Sequence, residues 1–251
     1  MNIQWNTADY TKNFDFVHKY GEDVLKLIDA PQGSYVIDLG CGNGALTQKL
    51  LELGYRAEGI DDSADMILRA EELHPDIKFT RADALTFHLK EKADVIFSNA
   101  VFHWIDENNQ QQLAENIFDN LKTNGMLVCE FGGCGCAETV HSALEECFAE
   151  HGLDYPRTFY FPTIGQYAPI LEAAGFRVEY ALLFDRPTLQ STADGAVDWI
   201  RMFIKTPFIG MPVAQKESII TEAVEKIRPV LFTNDGWIID YVRIRVRARK
   251  R

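Results

Sequence analysis

Short apolar runs separated by amphipathic stretches recur along most of the chain, the rhythm of strands and helices in a wound α/β sheet. Ser34 to Leu39 predicts a first strand and Arg56 to Asp61 a second. Ile77 to Phe79, Asp94 to Asn99 and Met126 to Phe131 follow as the third, fourth and fifth. Phe176, Val178, Tyr180, Leu182 and Phe184 alternate over a sixth, and Trp237 to Arg247 over a seventh. Leu46, Leu50 and Leu53 recur at helical spacing up to the stop at Gly54, and Met66, Ile67, Ala70 and Leu73 do so after the N-cap Ser63. Further helices carry Leu113, Ile117 and Leu121, then Val140, Leu144 and Cys147, then Tyr167, Leu171 and Ala174.

Two segments break the rhythm. Asp9 to Asp29 reads as a helical region ahead of the first strand, and residues 187–236 read as two helices carrying Trp199, Phe203, Ile220, Val224 and Ile227. The expected organisation is one α/β domain over 1–251: a helical cap (about 1–30), a sheet core (about 31–186 and 237–251) and a helical lid insertion (about 187–236). The core is expected to be a doubly wound, mostly parallel, seven-stranded sheet of Rossmann-like type.

Composition narrows the function classes. With 47% hydrophobic and 25% charged residues the chain can bury a full core. Its net charge is −12, and six of its 25 bases crowd the last nine residues, so residues 1–242 hold the other 19 against all 37 acids, a charge of −18. Such a surface repels polyanions, which argues against nucleic-acid and anionic-membrane partners. Arg243, Arg245 and Arg247 alternate with Ile244 and Val246, the pattern of a charged edge strand. No signal peptide pattern and no membrane-length apolar stretch is visible. Five cysteines, an odd number, suggest free thiols in a reducing cytoplasm, and the lone Cys134-Gly135-Cys136 lacks a second pair, so no metal is expected.

The chemistry concentrates in Val36-Ile37-Asp38-Leu39-Gly40-Cys41-Gly42-Asn43-Gly44. A glycine-rich turn between a first strand and a first helix is where wound sheets bring their backbone close to a ligand. The dinucleotide fingerprint spaces its glycines G-x-G-x-x-G to seat a pyrophosphate, whereas here the spacing is G-x-G-x-G, with Asp38 two residues ahead. A carboxylate there repels a pyrophosphate but suits the sulfonium and ammonium of S-adenosylmethionine.

These residues resemble the first motif of class I S-adenosylmethionine-dependent methyltransferases, and later motifs follow in that family's order. Gly59-Ile60-Asp61-Asp62, Arg81-Ala82-Asp83-Ala84 and Asp94 to Ile105 resemble the segments ending strands two, three and four. The resemblance implies that Gly40, Cys41 and Gly42 line the cofactor with backbone and that Asp38 faces its cationic end. It further implies that Asp61 accepts from the ribose hydroxyls, that Asp62, Met66, Asp83 and Ala84 border the adenine, and that Asn99 and Ala100 face the methionine end. Trp5, Tyr10, Asn13 to Gly21 and Leu171 to Phe176 are similar to the trans-aconitate methyltransferase-like branch.

His103 and Trp104 then stand beside the transfer site, with Tyr160 and Trp199 as further candidates for the acceptor side. A carboxylate acceptor needs no base, whereas a phenol, amine or thiol could use His103, the candidate catalytic residue. If the acceptor is a polyanionic acid, Arg157, Arg186, Arg201, Lys205 and Arg243 are the candidate cations. A nicotinamide-dependent oxidoreductase and a non-catalytic S-adenosylmethionine binder remain the alternatives at this point, and the expected partner is a small molecule. If Asp61 holds the ribose, Asp61→Ala weakens binding of the product S-adenosylhomocysteine by about tenfold or more in calorimetry.

Overall fold

The computed structural model describes residues 23–251. The greater part of the expected N-terminal cap, with Trp5, Tyr10 and the phrase from Asn13 to Gly21, lies outside the described residues.

Seven strands form the main sheet: β1 (Tyr35–Leu39), β2 (Arg56–Asp61), β3 (Phe79–Arg81), β4 (Ala93–Asn99), β5 (Leu121–Gly132), β6 (Phe176–Asp185) and β10 (Val242–Lys250). Their order is β3-β2-β1-β4-β5-β10-β6. β1 to β5 pair in parallel, and β10 runs antiparallel to both β5 and β6. β1 and β4, at the centre of the parallel strands, are buried almost throughout, with both faces covered as parallel sheets require.

Helices cover the two faces. Leu113 and Ile117 of α3 (Gln110–Asn120) and Tyr167 and Leu171 of α5 (Ile164–Ala173) pack against Ile37, Leu39, Ile96 and Ile244. On the other face, Leu46 and Leu50 of α1 (Ala45–Glu52) join Val24, Ile28, Val36, Val95 and Phe97. α2 (Ala64–Leu73) starts where the Met66 N–H donates to the Ser63 hydroxyl at 3.3 Å and buries Ile67 and Ala70 on Phe79. Gly54, at φ 89°, ends α1 and donates to the Leu51 carbonyl.

A second core joins α4 (Glu138–Glu150), α6 (Gly195–Phe203) and α7 (Val213–Leu231) around Val140, Leu144, Trp199, Ile220 and Ile227. Beside it lies a small three-stranded sheet of β7 (Thr188–Leu189), β8 (Phe232–Thr233) and β9 (Gly236–Ile239) in the order β7-β9-β8. No helix among the described residues is long and apolar enough to cross a membrane.

Three strand expectations need correction. The third strand begins at Phe79, because the Ile77 N–H donates back to the His74 carbonyl in a turn while the Ile77 side chain packs under α2. The run Trp237 to Arg247 is two strands, interrupted where Asp240 turns aside to accept from the Ala137 and Thr139 N–H groups. The basic strand is no edge: β10 is an inner strand, and β6 is the edge.

Electrostatics explains how arginines enter the sheet. Ile244, Val246 and Ala248 face the core, so Arg243, Arg245, Arg247 and Arg249 share the opposite face. There Glu130 of β5, 2% exposed, stands opposite Arg245 and accepts from its Nε at 2.6 Å. Arg186, just past β6, grips the same carboxylate with both of its terminal nitrogens. Farther along, Glu179 of β6 pairs with Arg247 at 3.5 Å and Arg249 at 3.2 Å. Removing one member of a buried ion cluster strands the others in a medium that solvates them poorly. Glu130→Ala should therefore lower unfolding free energy by about 3–5 kcal/mol in urea titrations, while a change to an exposed pair, such as Glu91→Ala at Arg56, should leave it nearly unchanged.

Candidate active site

Asp38, the glycine turn, Asp61, Asp83, Asn99 and Ala100 all lie at the C-terminal ends of parallel strands. The turn sits at the boundary between β1 and β4, where the winding reverses direction, and wound sheets leave a crevice at that point. Gly40 and Gly44 adopt φ 79° and 82°, and a Cβ on either would strike Val101 or Phe79. Gly42, at φ 54°, has only open space where a Cβ would stand, so its backbone is bare on the crevice side. Cys41 is buried between Gly59 and Phe79, and burial pushes its thiol well above the ordinary range. It is a packing residue and no nucleophile.

Two carboxylates sit beneath this turn. Asp38, 1% exposed, accepts from the Thr47 hydroxyl of α1 at 2.7 Å. Burial raises its pKa to about 7, the Thr47 bond opposes the rise, and nearby Asp61 adds to it. Asp61 closes the turn: one oxygen accepts the Gly42 N–H at 3.0 Å and the other the Ser63 N–H at 2.8 Å. Burial raises its pKa as well. Every one of these donors is neutral. The pair thus holds negative charge in a place that disfavours it, the setting a cationic ligand relieves.

The remaining predicted groups arrange around the rim. Asp62 is half-buried, and its carbonyl accepts from Arg81 Nε at 3.0 Å. Met66 is buried in the first turn of α2. Asp83 caps its own turn by accepting the Leu85 N–H at 2.8 Å. Ala84 points into the core, and its carbonyl accepts from Asn116 at 3.0 Å. Asn99 ends β4, and Ala100 follows at φ 61°, unusual for a residue with a Cβ, its N–H donating to the Glu130 carbonyl at 2.7 Å.

Beyond Ala100 opens an aromatic cavity. Its wall contains the predicted His103, Trp104 and Trp199, together with Phe159, Phe161, Phe203, Cys136, Tyr241 and Arg243. Phe159 and Phe161 stack at 5.2 Å between centroids, and Trp104 lies 4.7 Å from Phe159. Trp199 Nε1 donates to the Tyr241 hydroxyl, and the Arg243 guanidinium lies 4.6 Å from the Tyr241 ring centroid. His103 is buried, and its Nδ1 accepts the Gly132 N–H at 3.2 Å. Burial, and then the charge of Arg243, holds its pKa well below the usual histidine range.

Tyr160, named for the acceptor side, does not line this cavity. Tyr160 joins the core of Phe131 and Tyr167, while its neighbours Phe159 and Phe161 pack toward the cavity side. An extended Phe-Tyr-Phe run puts alternate rings on opposite sides, so the signal was present and its phase was misread. Among the candidate cations, Arg157 is paired with Glu138 and Glu145, Arg186 with Glu130, and Arg201 with Glu217. Arg243 is the one on the cavity wall. Cys136 drew notice only as half of a lone C-x-C pair, and Tyr241 carried no motif that could have flagged it.

A family model described as a methyltransferase domain matches residues 36–125, the span from β1 to the middle of β5. An uncharacterized methyltransferase of Schizosaccharomyces pombe is 33% identical over 98% of this chain and 98% of its own. A trans-aconitate 2-methyltransferase of Variovorax paradoxus is 26% identical over 99% of both. An S-adenosylmethionine-dependent methyltransferase structure from Mesorhizobium loti shares the fold, with TM-score 0.55, 18% identity and coverage of 94% of this chain and 99% of that one.

The titration of Asp38 has a measurable consequence. Its folded pKa, about 7, lies above its unfolded value near 3.8, so its contribution to stability is complete below pH 4 and is lost as pH rises through 7. Relative to Asp38→Asn, the ligand-free protein should be less stable at pH 8 than at pH 5 by up to about 3 kcal/mol in urea melts. Binding of a cationic ligand runs the other way, weakening as pH falls below 7, and Asp38→Asn flattens that dependence.

Proposed function

This chain belongs to the class I S-adenosylmethionine-dependent methyltransferases, of the trans-aconitate methyltransferase type, and we propose that it methylates a carboxylate oxygen of a small acid. Neither a nicotinamide oxidoreductase nor a non-catalytic binder is retained. When bound, the cofactor supplies a methyl group already activated on a sulfonium.

The residues present suit that cofactor. Asp38 and Asp61 bring buried negative charge whose hydrogen-bond donors are all neutral, which favours a sulfonium and an ammonium and would repel a pyrophosphate. Asp61 would use its remaining lone pairs on the ribose hydroxyls, and the bare backbone of Gly40 to Gly42 would lie along the ligand. Asp62, Met66 and Asp83 would border the adenine, and Asn99 and Ala100 the methionine end. Ala84, turned into the core, would contribute only backbone.

The observation that carries the choice of acceptor is the tautomer of His103. Its Nδ1 lone pair is taken by the Gly132 N–H, so the neutral ring carries its proton on Nε2 and offers a donor. That replaces the general base expected of His103 with a group that orients an oxyanion. No carboxylate stands among the described wall residues, and burial keeps the Cys136 thiol protonated. A phenol, an amine or a thiol would have to release a proton there and finds no acceptor, whereas a carboxylate arrives deprotonated. The chain's task is then alignment, worth about 7–11 kcal/mol in well-oriented reactions. The aromatic walls exclude water from the acceptor. Five unpaired thiols suit a reducing, cytoplasmic setting.

Label from methyl-tritiated S-adenosylmethionine should enter small carboxylic acids as a methyl ester, which mild alkali cleaves to volatile labelled methanol. His103→Gln should lower kcat about tenfold or more without adding or removing a basic limb in the pH profile. Alkali-stable label on nitrogen or on a phenol would refute the carboxylate reading.

A further inference from the structure

Two helices of the second core carry a cluster of side chains that methyl transfer does not use. Cys147 and Glu150 stand three residues apart on α4 and so share one face of it, and His151 follows at its end. Glu222 belongs to α7, which packs against α4. The Cys147 sulfur, one oxygen of Glu150 and one oxygen of Glu222 all lie within 4.8 Å of one another.

The acids already gather around a cation. Lys226, one turn past Glu222, donates to Glu150 at 2.8 Å and to Glu146 at 3.3 Å. Glu222 accepts the Ser218 hydroxyl on one oxygen at 2.7 Å, and its other oxygen lies 2.9 Å from His151 Nε2. These contacts account for the carboxylates and the lysine and leave out the thiol. Cys147 is 0% exposed, and its sulfur makes no hydrogen bond to a described residue. One side of it meets the apolar second core, while the sulfur itself faces two carboxylates. A thiol that only filled space would have no use for acids beside it. One sulfur with two carboxylate oxygens is a donor set for zinc, whereas magnesium and calcium take oxygen alone. Ligands on one tetrahedral zinc stand about 3.5 Å apart, so the three atoms would close by little more than about 1 Å.

We propose that Cys147, Glu150 and Glu222 form a binding site for a zinc ion that clamps α4 to α7. The ion takes the place of the Lys226 ammonium, whose partly exposed side chain turns out into solvent, and the Cys147 proton is released to water. Ser218 and His151 hold the Glu222 carboxylate in position, and water completes the tetrahedron. The sequence expectation of no metal rested on the Cys134-Gly135-Cys136 pair, which takes no part here. The site is independent of the acceptor and of the methyl-transfer chemistry.

The test uses the full-length chain, stripped of metal with a chelator and titrated calorimetrically with zinc chloride. One zinc ion per chain should bind, with a Kd of about 1 μM or tighter, and should raise the thermal midpoint. Cobalt in its place should give the near-ultraviolet charge-transfer band of a thiolate ligand. Cys147→Ala should abolish that band, and it and Glu222→Gln should each weaken zinc binding about tenfold or more. Lys226→Gln should tighten binding about threefold or more, because the competing ammonium is gone, a gain that acids serving only as partners of Lys226 would not produce. A cooperative thermal melt without metal reports that each variant is folded. The absence of one-to-one zinc binding overturns the proposal, as does zinc binding unchanged in Cys147→Ala. A cobalt band that disappears in Cys134→Ala and persists in Cys147→Ala also overturns it, since the ligand would then be the exposed thiol. Magnesium or calcium binding as tightly as zinc overturns it too, because oxygen alone would then suffice.

Discussion

The carboxylate of Glu130 lies buried between the guanidinium groups of Arg186 and Arg245, and desolvation makes each of the three groups untenable without the others. This cluster holds the last strand in place. β10 has no parallel neighbour and arrives from a distant part of the sequence, yet Arg245 can meet Glu130 only when it stands opposite it. Side chains alternate strictly in a strand, so a slip of one residue would turn the arginines into the apolar core and bring Ile244 and Val246 to the charged face. Once the register is set, Arg243 has to project on the same face, past the side chain of Glu130, where β5 has only Gly132.

The sheet therefore ends in two regions of opposite charge. At the β1 and β2 side, Asp38 and Asp61 keep negative charge in a buried turn with neutral donors; at the β5 and β10 side, Arg243 and the protonated nitrogen of His103 keep donors in an aromatic cavity. Ala100, strained at positive φ, stands between them. A cationic cofactor and an anionic acceptor would each meet the end that suits it, and their reacting atoms would converge at the end of β4. Attraction is strong there because little water screens it.

Much of the fold was legible from local pattern. Alternation marked the central strands, leucine spacing marked α1, and Ser63 and Gly54 marked helix ends, because each depends on residues a few positions apart. The glycine turn and its acids were legible for the same reason: turn, strand end and helix start are contiguous in sequence. The errors have a common character. Nothing local distinguishes a charged edge strand from a charged inner strand, since the partner that makes the difference, Glu130, is 115 residues from Arg245. Nor could the phase of Phe159-Tyr160-Phe161 be set without knowing which side the core lies on.

Sequence by itself determined the class of protein and its cofactor, because those are written in short motifs whose chemistry survives any arrangement of the rest. Tertiary structure alone assembled the aromatic cavity and set the partners of its polar groups. It took the lone pair of His103 with the Gly132 N–H, matched Arg157, Arg186 and Arg201 with acids, and left Arg243 in an aromatic wall. Whether a buried group is a base, a donor or a counter-ion depends on what the fold sets within about 3 Å of it, and distance along the chain carries no such information.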